Sequence, residues 1–326
     1  MIKLFKNIFK SNFEKNKDIY EEYLESKIAK SLDTAMTTYK TYKSNMNLFL
    51  IWLHKKDKDY YLLSKKMLNE FPSILDRYML YCVRERGNNK VTVNNKITAV
   101  SSFYIWARRT RKIIFNPVLD IERQQKSKLD KRRNSYFLTI EQIKFIKQQM
   151  ELQPQKFDIR SKIIFNIFID SAIRIGEMTR LKISNLDLKN DVFINIKQKG
   201  GEMREVYISE ETKVLINKYL IWRQENNIKI DDFLITKYNG KYKNMSRETI
   251  RARVRKIGKI LNIEDLYPHT LRKTIVNIMT KLGSIDDGAL IAYHKNTTVT
   301  RDHYIQEMTA IEKTEKIKKI RALAQF

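Results

Sequence analysis

The sequence is poor in the residues that staple or punctuate a chain. Its 326 residues include one cysteine, four prolines and eight glycines. Cys82, inside the apolar run Tyr78-Met79-Leu80-Tyr81-Cys82-Val83, can close no internal disulfide and reads as a core residue. So few glycines and prolines argue against a turn-rich β-sandwich and against a disordered chain, and favour helix. No cysteine–histidine spacing suits zinc. No apolar run reaches the ~18 residues that a transmembrane helix needs, so no membrane partner is expected. The basic amphipathic stretch 1–16 lacks a continuous apolar segment and a small-residue cleavage site, and is not read as a signal peptide. Asp231-Asp232 and Asp286-Asp287 are adjacent pairs near expected loops, not the separated carboxylates of a two-metal nuclease.

What is present is positive charge. Lysine and arginine number 64 against 37 aspartates and glutamates, a net charge of +27 and an isoelectric point near 9.9. A globular chain this basic meets a polyanion, most often nucleic acid. With 42% hydrophobic residues and this length, two domains with sizeable cores are expected.

Residues 17–121 read as a helical domain. The pattern predicts a helix near 17–30, then one capped by Ser31 or Asp33 that carries Tyr39, Tyr42, Met46, Phe49, Leu50 and Leu53 at helical spacing. A third is predicted over 72–86, stopped by Gly87. A fourth, after Thr92, has the stripe Val93, Ile97, Val100, Tyr104 and Ala107. Lys40 and Lys43, and on the last helix Lys96 and Arg108, are expected on polar faces as phosphate contacts. The apolar period then fades over 122–135, a basic linker that includes Arg132 and Arg133. Thr139 with Gln142 forms a capping box that opens a second domain, 136–326. Within it, apolar runs at 191–197 and 204–209 flank Gly200-Gly201 and predict a β-hairpin with Lys199 at its turn. Ser246 caps a predicted helix on which Arg247, Arg251, Arg255 and Lys259 recur every four residues, opposite Ile250, Val254, Ile257 and Leu261. With Glu248 read as lying off that face, the row suits a DNA groove.

Histidine is scarce as well, and three of the four, His269, His294 and His303, fall between Pro268 and Tyr304. Two of these, His269 and His294, make with Arg174, Lys199, Arg272 and Tyr304 a set suited to phosphoryl transfer. Guanidinium groups neutralise non-bridging oxygens bidentately. A phenol can attack phosphorus once it loses its proton. Lysine and histidine can move protons near neutrality.

The order Arg…Lys…His-x-x-Arg…His…Tyr resembles that of the tyrosine site-specific recombinases, the phage-integrase and Xer group. Ser171-Ala172-Ile173-Arg174-Ile175-Gly176-Glu177 is similar to that family's first arginine motif. Lys199-Gly200-Gly201-Glu202-Met203-Arg204 is similar to its hairpin lysine motif, and His269-Thr270-Leu271-Arg272 to its His-x-x-Arg box. Tyr293-His294 followed by Tyr304 resembles its closing segment, although the family usually has glycine before that histidine and an interval one residue shorter. The resemblance extends over nearly the whole chain beyond residue 17. It implies a mainly α, two-domain fold: an N-terminal helical, SAM-like core DNA-binding domain, and an α-rich catalytic domain with a small antiparallel sheet and a C-terminal tail helix. It implies that Arg174 and Arg272 clamp the scissile phosphate and His294 donates to it. Lys199 protonates the departing 5′ oxygen, His269 positions or deprotonates, and Glu177 braces the site. Tyr304 forms a 3′-phosphotyrosyl link, with Tyr293 as the rival nucleophile. Neither cofactor nor metal is implied. The partners implied are duplex DNA with an inverted-repeat site, three further copies in a tetramer, and in some systems an accessory protein, all at the cytoplasmic nucleoid. A non-catalytic DNA-binding or architectural protein, and a telomere resolvase or type IB topoisomerase, remain as alternatives.

Overall fold

The structure, a computed structural model, describes residues 10–29, 32–119, 121, 136–198, 201–294 and 297–304, with backbone alone for 32–38 and 302–304. The chain divides into two compact units, Met1–Arg132 and Arg133–Phe326. The linker expected at 122–135, with Arg132 and Arg133, lies outside the described residues.

Unit 1 has four helices among its described residues: α1 (Asn12–Ile28), α2 (Leu32–Lys56), α3 (Lys65–Arg84) and α4 (Lys90–Arg109). Ser11 and Glu14 form a reciprocal capping box, so α1 starts inside the segment expected to precede the domain. Ser64 caps α3 by accepting from the Met67 N–H, which starts that helix earlier than expected and leaves Pro72 in its interior. Asn89 caps α4 through the Thr92 N–H. The core is aromatic: Tyr23, Phe49, Phe71, Tyr78, Phe103 and Tyr104 are fully buried and meet edge-on or tilted. Cys82 is buried among them.

One sequence expectation fails here. Lys96 is 6% exposed and donates to the Asn88 side chain, so it is no phosphate contact. The cause is helical geometry, since residue 96 lies one turn from Val93 and Val100 and shares their stripe. Lys43 is exposed but held by Glu21 and set over the Tyr39 ring. Lys40 is exposed and lines a 490 Å³ groove with Lys17, Tyr39 and Lys43, while Arg108 is exposed in the last turn of α4.

Unit 2 is built around α6 (Ile159–Ser171), which follows α5 (Ile140–Leu152) and its Thr139–Gln142 capping box. Ile163, Ile164, Phe165, Ile167 and Phe168 are all fully buried, as a helix surrounded on every side requires. Around it stand α8 (Glu210–Glu225), α9 (Arg247–Gly258) and α10 (Pro268–Leu282). Strands β1 (Leu186–Asp187), β2 (Val192–Lys197) and β3 (Met203–Tyr207) form an antiparallel sheet in that order. A register shift between Phe193 and Ile196, with Asn195 at φ 58°, bulges β2. β4 (Ile235–Tyr238) and β5 (Lys241–Asn244) make a second hairpin. Its turn residues Asn239 (φ 47°) and Gly240 (φ 75°) are both left-handed, as a two-residue turn demands. Three short α-helices are also present among the described residues: α7 (Ile175–Met178), α11 (Ile285–Ala292) and α12 (Thr297–Tyr304). The Asp231 carboxylate is taken up by Ser184 and Lys182, and Asp232 accepts from Asn244, so both acids tie loops together.

Candidate active site

The candidate groups hang on helix ends. α6 stops at Ala172, whose φ of 48° and ψ of 33° are left-handed. The chain then turns through buried Ile173 to Arg174, extended at φ −78°, ψ 145°, and re-enters helix as α7. Glu177, in α7, folds back one turn. Its carboxylate accepts from the Arg174 backbone N–H (3.0 Å) and from Arg174 Nη1 (3.0 Å). Arg174 Nη1 also donates to Gln198 Oε1 at 3.0 Å. The guanidinium is 35% exposed, and its Nε and Nη2 have no hydrogen-bond acceptor among the described residues. A guanidinium with its lower nitrogen fixed and two donors facing outward is set to grip an oxyanion.

Arg272, in the second turn of α10, is 1% exposed. It donates to the carbonyl of Ala172, to that of Ala292 (2.7 Å), and lies 3.0 Å from His294 Nε2. The two carbonyls belong to the C-terminal ends of α6 and α11, where unpaired carbonyls and the helix dipole favour a cation. Guanidinium nitrogens only donate, so His294 Nε2 accepts. Its Nδ1 therefore carries the proton and donates to buried Thr300 Oγ1 at 2.8 Å. His294 follows the left-handed cap of α11, where the Tyr293 N–H donates to Leu290 O and the His294 N–H to Ala289 O. His269 is exposed in the first turn of α10, three residues and hence one turn before Arg272.

A residue outside the expected set joins these two halves. Arg204, 3% exposed, donates to Glu177 Oε2 (3.2 Å), Ser171 O (3.0 Å) and Glu205 O (3.1 Å). Burial pushes its guanidinium down to about 10, with Arg272 and Arg174 pushing the same way and Glu177 opposing. Its signal was the strand period: in β3 Arg204 and Val206 are inward while Met203, Glu205 and Tyr207 are exposed. Arg174 and Arg204 thus share the single carboxylate of Glu177, with Arg272 near enough to Arg204 to push its guanidinium down, so three guanidinium groups stand against one carboxylate. A phosphodiester is the kind of anion that would reduce this surplus.

Beside the site, Arg247 lies against Gly176. A Cβ on Gly176 would stand 2.9 Å from Arg247 Nη2, so glycine makes room for it. Arg180 is close by, donating to Lys197 O at 2.6 and 3.0 Å, and burial lowers its pKa, with Arg247 adding to the effect. Arg255, in the last turn of α9, and Lys259, just past its end, are exposed as expected. Arg251 is not free: Glu248, expected off the face, pairs with it because a three-residue separation in a helix brings side chains together. Lys199 lies outside the described residues. Tyr304 ends α12 by its backbone, and its side chain is likewise not described.

Comparison with known proteins supplies the context. The sequence model of the phage integrase family matches residues 136–310, more than half of the chain. The chain is 25% identical to the tyrosine recombinase XerC of Caldanaerobacter subterraneus subsp. tengcongensis, over 81% of this chain and 76% of that one. It is 24% identical to the tyrosine recombinase XerA of Saccharolobus solfataricus, over 82% and 80%. Among solved structures, it is similar in fold to the XerH site-specific recombinase bound to a palindromic difH substrate. There the TM-score is 0.66 at 18% identity, covering 90% of this chain and 83% of that one.

Proposed function

The chain belongs to the phage integrase family, and on that premise we propose that it cuts and rejoins DNA at a specific inverted-repeat site through a covalent bond to Tyr304. It is a tyrosine recombinase, an enzyme of site-specific DNA recombination. DNA is its partner.

The arrangement around Glu177 carries the reading. Arg174 and Arg272 take the non-bridging oxygens of the scissile phosphate, Arg174 with its outward Nε and Nη2, Arg272 with the Nη2 now directed at His294. An oxygen that takes this donor releases His294 Nε2, which can then carry a proton and donate as well. Charge that builds on these oxygens meets donors already fixed by helix ends and by Glu177, which is where preorganised electrostatics acts. The Tyr304 phenolic oxygen attacks phosphorus and the P–O5′ bond breaks. His269 positions or deprotonates the phenol, and Lys199 gives a proton to the leaving 5′ oxygen. The 3′-phosphotyrosyl ester keeps the bond energy. A 5′ hydroxyl from the partner strand then attacks it and Tyr304 leaves, so no ATP is spent. Four copies acting on two sites, by way of a Holliday junction, complete the exchange at the nucleoid. Arg247, Arg255 and Lys259, with Lys40 and Arg108 in unit 1, contact phosphates.

The test is a suicide duplex, nicked beside the cleavage position and built on a site selected by binding from genomic fragments. In EDTA the wild-type chain should form a covalent protein–DNA adduct. Tyr304→Phe should bind with unchanged affinity and form none. Binding without any wild-type adduct would favour a DNA-binding protein that kept the fold. An adduct from Tyr304→Phe would move the nucleophile elsewhere.

A further inference from the structure

Residues 292–294 each address a guanidinium. The Ala292 carbonyl accepts from Arg272, and His294 Nε2 accepts from Arg272 at 3.0 Å. Between them the Tyr293 ring lies over Arg204, its centroid 4.0 Å from the guanidinium carbon. Tyr293 does this from φ 50°, ψ 49°, a left-handed backbone that glycine adopts freely and a tyrosine does not. A bulky residue kept in such a conformation beside the reacting groups points to a role for its side chain. The geometry defines that role. Arg204 is buried, its edge is taken by Glu177, Ser171 and Glu205, and the face left over is covered by the ring. An aromatic face over a guanidinium attracts it, more strongly where water is excluded.

We propose that Tyr293 is a positioning residue whose ring clamps Arg204, and so couples the turn carrying His294 and the Arg272 carbonyl partner to the Glu177–Arg174 half of the site. The proposal rests on the recombinase reading and adds a residue to it. Each half is internally bonded: Arg174 to Glu177, and Arg272 to His294. Arg272 also reaches the carbonyl of Ala172, two residues before Arg174; Tyr293 over Arg204 is a second tie between the halves, and two arginines can share one phosphate only at a fixed separation. The ring face does this work. The hydroxyl is not required, which separates Tyr293 from a nucleophile.

The experiment measures single-turnover cleavage of the suicide duplex by the full chain, at saturating protein and at a temperature where every variant is folded. DNA affinity is measured separately. Tyr293→Phe keeps the face and should cleave at close to the wild-type rate. Tyr293→Gly and Tyr293→Asn suit the left-handed backbone but lack the ring. They should cleave about tenfold or more slowly, because small displacements of reacting groups are costly, while binding DNA with unchanged affinity. A ring that served stability alone would lower the melting temperature and leave the saturated rate intact; that result overturns the proposal. Loss of cleavage in Tyr293→Phe also overturns it, in favour of a chemical role for the hydroxyl. A wild-type chain that forms no adduct removes the recombinase reading and this role together, whereas an adduct formed equally by wild type and Tyr293→Gly removes this role alone.

Discussion

Replacing Glu177 by glutamine removes one charge and almost no volume. The carboxylate is 1% exposed, and so is the side chain of Arg204 beside it. Oε1 accepts from Arg174 Nη1; Oε2 accepts from the Arg174 N–H and Arg204 Nη1. A glutamine can offer only one carbonyl oxygen. If its oxygen faces the pair of donors at Oε2, its amide nitrogen faces Arg174 Nη1, a donor, and displaces it. If it turns round, two donors lose their acceptor. In both orientations Arg204 stays buried without its countercharge. Removing one member of a buried ion pair costs about 3–5 kcal/mol, and since glutamine keeps part of the bonding the lower end, about 3 kcal/mol, is expected. For a unit of this size that is a fall in melting temperature of about 6–12 °C. Displacement of Arg174 should also slow cleavage about 10²-fold, comparable to losing a donor to a developing oxyanion. Thermal unfolding of the full chain and single-turnover cleavage read the two effects separately. Adding Arg204→Met removes the stranded charge, so the double variant should be more stable than the sum of the single losses by about 1–3 kcal/mol. A Glu177→Gln chain that melts within about one degree of wild type and cleaves at the wild-type rate would refute the claim that this carboxylate organises the arginines.

Acid should weaken the seam between α6 and α9. Burial alone would raise the Asp158 carboxyl, but Arg253, bonded at 2.5 and 3.1 Å, and Arg160 hold it at about 2 against a usual 3.8. A depressed folded-state pKa contributes stability that is complete above about pH 4 and is lost as pH falls toward about 2. The stability difference between wild type and Asp158→Asn should therefore be constant near neutrality and shrink across that window in a pH series of thermal melts. Affinity for DNA should fall steeply with salt. Arg255→Ala and Lys259→Ala should each reduce the log–log slope by about 1, whereas Lys96→Met, at a buried position, should leave it unchanged in the same titration. Lys199→Ala should cleave poorly, and a 5′-bridging sulfur in the substrate, a leaving group that needs no proton, should restore its rate.

How far the sequence speaks for itself depends on whether the signal is local. Thr139 with Gln142, and Ser246 before α9, act through neighbours three residues away, and each forms the feature expected. The sequence marks the helix α8 only weakly. Its buried stripe, Thr212, Ile216, Tyr219 and Arg223, is half polar and weakens the period, with Arg223 spending its charge on the carbonyls of Asp232 and Phe233. Arg174, Glu177, Arg272 and His294 were legible as a set, and the fold brings them together. Arg204 was not, because a buried arginine looks like any other basic residue until its strand register and its carboxylate, 27 residues away, are known. The same holds for Arg253, which resembles a member of the cationic row and is spent on Asp158.

Arg272 reaches carbonyls at residues 172 and 292 and a ring at 294. A nascent or proteolysed chain that has lost either end of that span keeps the guanidinium but not its anchorage. On the proposed function, strand scission is thereby licensed by tertiary completeness: a partly made or clipped copy has no assembled means of breaking DNA.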